Sequence, residues 1–253
     1  FRVMWSAKIM EKQYEGTQQD IDSYIGGLDK TRGISLSQMV SRDSRNRAEF
    51  PTGGSRFQIE NTYSGGVLGG NENFQKHILD LQWFTPTFSK VVLYNSFKLG
   101  VIKTLDVDDG IQSFVPFDER FIMGGNGIPY GNALRGYPDN SIGPQTASGQ
   151  AVGGNSMGKL TTELRFPLSE NPVIYVMAFG EMGNVWNSSK MSEPFYIDRN
   201  GPLSMKKSAG VGVRFFMPGI GKLGFDMGYG FDDINGDGNP QGWEYTITFG
   251  QTY

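Results

Sequence analysis

Alternation with a period of two residues constrains this chain more than any other feature. In the segment closing the chain, Trp243, Tyr245, Ile247, Phe249 and Tyr253 fall on one parity, while Glu244, Thr246, Thr248, Gly250 and Thr252 fall on the other. The preceding segment repeats the pattern, with Leu223, Phe225, Met227, Tyr229 and Phe231 against Lys222, Gly224, Asp226, Gly228 and Gly230. Val211, Val213, Phe215 and Met217 oppose Ser208, Gly210, Gly212 and Arg214, and Leu160, Thr162, Leu164 and Phe166 oppose Lys159, Thr161, Glu163 and Arg165. Side chains of a strand alternate between the two faces of its sheet, so each segment reads as a strand with one apolar and one polar face. A helix crossing a membrane needs about 20 consecutive apolar residues, and the longest apolar runs here are short pieces such as 173–179.

Further strands are expected at 1–9, 33–42, 55–64, 75–84 and 90–102, giving about ten. Segment 173–182 gives no parity, because Val173, Tyr175, Met177 and Phe179 are apolar and so are Ile174, Val176 and Ala178. Abundant glycine (36) and 13% aromatic residues, with Phe and Tyr far outnumbering Trp, agree with strands joined by tight turns.

A soluble antiparallel sandwich alternates in the same way. Loop lengths favour a membrane barrel instead. Short connections at 84–87, 167–172 and 217–221 alternate with long excursions at 10–32, 103–155 and 183–207, the arrangement of short periplasmic turns and long extracellular loops in bacterial outer-membrane barrels. The expected fold is therefore an all-β, transmembrane antiparallel β-barrel in the bacterial outer membrane, with the lipid bilayer as its first partner. On parity alone, ten strands either close by themselves or form part of a larger barrel. Phe1 begins directly in strand-like alternation with no secretory signal before it, so residue 1 is read as the start of a retained portion.

Charge and composition exclude several functions. A net charge of -3 leaves no footprint for nucleic acid. Without cysteine there is no disulfide or thiolate metal site, and a single histidine, His77, rules out a multi-histidine centre. No serine lies in an elbow motif that would use His77 in a triad, so an enzyme is not expected. Asp233, Asn235, Asp237 and Glu244 satisfy the spacing of a calcium-binding EF-hand loop. That motif requires flanking helices, whereas strands flank it here, and a hairpin loop rich in Asp, Asn and Gly explains the same letters. The turn is the favoured reading, calcium the alternative, and no cofactor is expected. Asp106, Asp108 and Asp109 read as a solvated acidic loop.

The stretch Gly124-Gly125-Asn126-Gly127, then Leu134-Arg135-Gly136-Tyr137, then Asn140-Ser141-Ile142-Gly143-Pro144 resembles the inward-folding loop of the BamA family, whose signature is Val-Arg-Gly-Phe. The resemblance extends from about residue 40 to the end, through Phe50-Pro51-Thr52-Gly53-Gly54, Gly153-Gly154-Asn155-Ser156-Met157, Met182-Gly183-Asn184-Val185-Trp186, Ser208-Ala209-Gly210-Val211 and Ile247-Thr248-Phe249-Gly250-Gln251-Thr252-Tyr253. Leu134 and Tyr137 are mild departures from the signature.

The resemblance implies that these strands are the last ten of a barrel of about sixteen, with the earlier strands and periplasmic POTRA domains outside this sequence. It implies a machine that inserts unfolded outer-membrane β-barrel clients through a seam between first and last strands, where client strands pair by β-augmentation, assisted by accessory lipoproteins. Translocation pores of the two-partner secretion or TamA type share the loop and are the alternative. The resemblance further implies that loop 103–155 folds into the lumen and that Arg135 meets acidic residues on the wall, matching Glu163 and Glu181 here. Parity independently turns Glu163 inward. Trp243, Tyr245, Ile247, Phe249, Gly250 and Tyr253 would form the seam strand, the apolar ones facing lipid.

Overall fold

A computed structural model describes residues 1–13, 15, 30–105, 115–128, 131–146, 149–187, 204–217 and 221–250. The chain forms ten strands: β1 (Arg2–Gln13), β2 (Lys30–Asp43), β3 (Gly54–Ser64), β4 (Phe74–Pro86), β5 (Val92–Thr104), β6 (Ser156–Glu170), β7 (Val173–Trp186), β8 (Lys206–Met217), β9 (Gly221–Gly230) and β10 (Gly242–Gly250). They make one sheet in sequence order, each strand antiparallel to the next. Such a meander needs only loops between neighbours, which is why glycine-rich turns suffice. Strand lengths run from 9 to 15 residues, enough to cross a bilayer when tilted. Among the described residues, no helix is long and apolar enough to cross.

Ten strands do not close the sheet: β1 and β10 remain its two edges. β1 is exposed along most of its length.

Parity and burial agree in β6, β9 and β10. In β6, Leu160, Leu164 and Phe166 face outward while Thr161 and Glu163 are buried. In β9, Phe225 is exposed while Gly224, Asp226, Gly228 and Gly230 are buried. Trp243, Tyr245, Ile247 and Phe249 of β10 all face outward, and Thr246 between them is buried. At the loop end of the β9–β10 hairpin, Tyr229 packs edge-on against Trp243 with ring centroids 5.3 Å apart, placing aromatic rings where barrels carry an interfacial girdle.

Strand β7, which gives no parity in the sequence, turns Tyr175, Met177, Phe179 and Glu181 inward. Its inner face is apolar because it meets side chains rather than water. Tyr175 and Met177 pack with Phe50, Phe84 and Val92, and the Phe50 and Tyr175 rings lie 5.0 Å apart. A second cluster joins Phe74, Ile102, Met157 and Val185 of the wall to Val115, Phe121, Met123, Leu134, Tyr137 and Ile142 of the β5–β6 loop. The lumen is therefore packed in these regions, not watery as its polar parity alone suggests. Asp106, Asp108, Asp109, Gln251, Thr252 and Tyr253 lie outside the described residues.

Candidate functional site: the inward loop and the free edge

The β5–β6 loop returns along the inner wall as a compact tongue. Its own backbone holds its shape: Gly124 N donates to Asn132 O at 3.0 Å, Gly125 N to Tyr137 O at 3.0 Å, and Ile142 N to Met123 O at 2.9 Å. These bonds bring Leu134-Arg135-Gly136-Tyr137 to the wall formed by β6–β9.

Each residue of that tetrad meets the wall differently. Leu134 is fully buried in the apolar cluster shared by loop and wall. Gly136 has φ +85, and a Cβ there would lie 2.9 Å from Ser208 Cβ and 3.0 Å from the Tyr229 carbonyl carbon. The wall is equally tight, since a Cβ on Gly228 would fall 2.8 Å from Gly136 N. Only glycine on both sides permits this contact of backbone with backbone. Tyr137 donates its hydroxyl to Lys207 O at 2.6 Å, with Asp232 Oδ2 at 3.0 Å. Burial pushes the phenol pKa up, so it remains a proton donor.

Arg135 lies at the centre. Its Nη2 is 2.6 Å from Glu163 Oε1 and 2.8 Å from Glu181 Oε1, and Nη1 is 3.4 Å from Asp226 Oδ1. Its backbone N–H donates to Glu181 Oε2 at 2.9 Å, and the guanidinium carbon sits 3.7 Å from the Phe179 ring centroid. The structure brings Arg135, Glu163 and Glu181 together, but not through the bidentate fork expected of a guanidinium on one carboxylate. A single nitrogen spans both glutamates. The two-pronged arrangement belongs to Arg214, whose Nη1 and Nη2 meet Asp226 Oδ1 and Oδ2 at 2.9 and 2.7 Å.

Each carboxylate also has a second cation. Arg165 Nη2 lies 2.7 Å from Glu163, and Lys159 Nζ lies 3.0 Å from Glu181. The site is thus a connected cluster of four cations (Arg135, Lys159, Arg165, Arg214) and three carboxylates (Glu163, Glu181, Asp226). Parity turns Lys159, Arg165, Arg214 and Asp226 inward; Arg165 meets Glu163 two residues away on β6, whereas the Lys159–Glu181 and Arg214–Asp226 pairs form across strands, require the register and were missed. With each carboxylate paired to two cations and hydrogen-bonded, the cluster fixes the loop's position.

Backbone geometry defines the other half of the site. Phe231 N donates to Lys207 O at 3.0 Å, so odd-numbered residues of β9 bond toward β8 and even-numbered ones toward β10, because antiparallel strands alternate the direction of their backbone groups. The registers Gly242↔Gly230 and Gly250↔Lys222 then engage the even residues of β10 with β9. The N–H and C=O groups of Trp243, Tyr245, Ile247 and Phe249 consequently point toward the free edge, with no strand beyond them among the described residues. Gly250 lies at the end beside the short β8–β9 turn, and a Cβ there would meet nothing within 4 Å.

The calcium pattern is not gathered. Asp233 Oδ1 accepts from Asn235 N at 2.9 Å and Gly236 N at 2.6 Å, and Oδ2 accepts from Gly238 N at 2.8 Å. Those N–H groups, Gly238 first, hold its carboxyl below the ordinary value. Asp237 Oδ1 accepts from Asn239 N at 2.9 Å, while Glu244 on β10 accepts from Gln241 Nε2 at 3.0 Å. The aspartates close a turn, and among the described residues no group of three or more His, Asp or Glu is placed to hold a metal.

Residues 6–252 match the Omp85 superfamily domain. The chain is 28% identical over 240 residues to the outer membrane protein assembly factor BamA of Nitratidesulfovibrio vulgaris, covering 92% of this chain and 28% of that protein. Its fold matches the crystal structure of BamA from Haemophilus ducreyi lacking POTRA domains 1-3 with a TM-score of 0.69, at 22% identity over 93% of this chain and 48% of the other. The chain thus spans less than half the length of either.

Proposed function

The chain belongs to the Omp85 superfamily of outer-membrane β-barrels, and from that premise we propose that it forms the wall and the last seam strand of an outer-membrane protein assembly factor. The observation that carries this reading is the 28% identity over 92% of the chain to an outer membrane protein assembly factor BamA, together with an inward loop docked on the wall of the sheet. The odd residues of β10 direct their backbone groups to the side where the barrel's first strand would pair, and because an unsatisfied backbone group in hydrocarbon costs several kcal/mol, an opening of that seam favours pairing with an incoming strand. Unfolded outer-membrane β-barrel proteins supply strands of that kind, and β-augmentation needs hydrogen bonds alone and no covalent chemistry. In this reading the protein is not an enzyme. Accessory lipoproteins and POTRA domains deliver the clients, and earlier strands complete the barrel.

The alternative reading, a translocation pore, requires a polypeptide path through the lumen. Both readings share the inward loop, and the match to an outer membrane protein assembly factor BamA favours the insertion reading. The experiment uses the full-length protein reconstituted with its co-purifying subunits in phospholipid vesicles, with a photo-crosslinker at Tyr245 and an unfolded barrel client. Crosslinks to the client, followed by its folding into the membrane, are expected. Passage of a soluble polypeptide into the vesicles without membrane insertion would overturn the reading in favour of the pore.

A further inference from the structure

The edge of β10 is not entirely bare. Asn126, at the turn of the inward loop, extends its side-chain Nδ2 to within 3.4 Å of Ile247 O. Ile247 is one of the odd residues whose carbonyl points away from β9, so this contact falls on the free edge. The orientation of the amide follows from its other contacts. Asn126 N donates to Asp139 Oδ1 at 2.8 Å, and Asn126 Oδ1 accepts from Ile128 N at 2.8 Å. With the oxygen arm satisfied by a backbone N–H, the remaining arm toward β10 must be the donor. The flanking glycines have φ +50 and +75 at Gly125 and Gly127, a left-handed turn that aims Asn126 away from the tongue.

We infer that Asn126 is a latch on the seam: it places a side-chain donor where a partner strand would place its backbone N–H, so that strand pairing along β10 is slowed at Ile247 while the inward loop is docked. The position is informative. Gly250 pairs with Lys222 beside the short turn, so among the described residues the periplasmic end of the edge begins with Phe249. A strand that zips from that end engages Phe249 first and meets the amide at the next edge-facing residue, Ile247. Tyr245 and Trp243 lie beyond it. The latch belongs to the same tongue that Arg135 anchors, so docking of the loop and access to the upper edge are a single equilibrium. The contact itself is independent of function, while its consequence for clients rests on the assembly reading above.

The test uses full-length protein carrying Asn126→Ala or the nearly isosteric Asn126→Leu, reconstituted in phosphatidylcholine vesicles. In the first arm, ligation of a carboxy-terminal peptide introduces carbon-13 at the Ile247 carbonyl, and isotope-edited infrared spectroscopy reads its hydrogen bonding. The labelled band is expected to move to higher frequency in both variants, and an unchanged band in both overturns the contact. In the second arm, photo-crosslinkers at Phe249 and Tyr245 report capture of an unfolded barrel client. Wild type is expected to crosslink at Phe249 before Tyr245, and the variants to accelerate the Tyr245 crosslink by about two- to twelvefold, the worth of one neutral hydrogen bond, leaving Phe249 unchanged. A shifted band with equal Tyr245 kinetics overturns the latch. A wild-type protein that captures no client at either position refutes the assembly reading, and the infrared arm still decides the contact.

Discussion

Replacing Arg135 with alanine removes two charge-assisted hydrogen bonds, at 2.6 Å to Glu163 and 2.8 Å to Glu181, and the stack over Phe179. Such bonds contribute about 1.5–3 kcal/mol each, and a desolvated cation over an aromatic ring adds about 2 kcal/mol. Against this gross loss of about 5–8 kcal/mol stands the relief of desolvating a guanidinium, several kcal/mol in a protein interior. The carboxylates are not stranded: Arg165 remains on Glu163, Lys159 on Glu181 and Arg214 on Asp226. Three cations then face three carboxylates. The net cost belongs near the lower end of the range for breaking a buried pair, about 3 kcal/mol, or roughly a hundredfold in the docking equilibrium of the loop. Hydrogen–deuterium exchange on the full-length protein in detergent micelles reads this directly. The amides of Gly124, Gly125 and Ile142, bonded within the tongue, should exchange about a hundredfold faster in Arg135→Ala, while those of β8 and β9 keep their wild-type rates. Arg135→Lys should recover part of the loss, since an ammonium can bridge the two glutamates but lacks the planar face on Phe179 and the second nitrogen toward Asp226. Unchanged exchange in the tongue, or full recovery with lysine, would refute the reasoning.

Gly136→Ala should undock the loop as thoroughly as Arg135→Ala, because the added methyl meets Ser208 and the backbone at Tyr229 at about 3 Å with φ +85; the same exchange experiment checks it, and wild-type rates would count against the backbone contact. Gly250→Val should stiffen the periplasmic end of β10 without a clash, since the site is open and glycine is the more flexible residue; slower client insertion by the full-length protein is expected, and unchanged seam geometry and insertion would contradict it. The Asp233 carboxyl should titrate below its ordinary 3.8. A depressed folded-state value means that its turn-closing contribution is complete above that ordinary value and is lost as pH falls through the lower one, so a carbon-13 titration of the Asp233 carboxyl with its midpoint at or above 3.8 would refute the turn assignment.

Legibility in the sequence followed environment. Strands β6, β8, β9 and β10 separate cleanly because one face meets apolar surroundings and the other meets charges or glycine-lined wall. Strand β7 was opaque because Tyr175, Met177 and Phe179 pack inward against aromatic rings and a guanidinium, so both parities select apolar residues. Glu163 was readable from its own alternation, and Arg135 and Glu181 from the family resemblance. The pairing of Asp226 with Arg214 depends on Gly212↔Asp226 register between neighbouring strands, which composition does not encode. The Asp-Asn-Gly letters of 233–238 serve turn and metal loop alike, and only the backbone N–H groups around Asp233 separate them. Asn126 carried no signal because its acceptor is a main-chain carbonyl.

In β10 the direction of the side chain and the direction of the backbone groups share one period and one phase. The residues that turn toward lipid, Trp243, Tyr245, Ile247 and Phe249, are also the ones whose amides and carbonyls line the seam. Selection at these four positions therefore acts on two unrelated properties through different atoms: the side chain answers to the bilayer, and the pairing surface is main chain that every residue except proline supplies complete. Lineages can exchange tryptophan for leucine or tyrosine for phenylalanine there and retain the same hydrogen-bonding edge. Within what the bilayer accepts, such a seam changes its side chains while its pairing chemistry stays fixed, and proline is the substitution that the pairing surface itself must exclude.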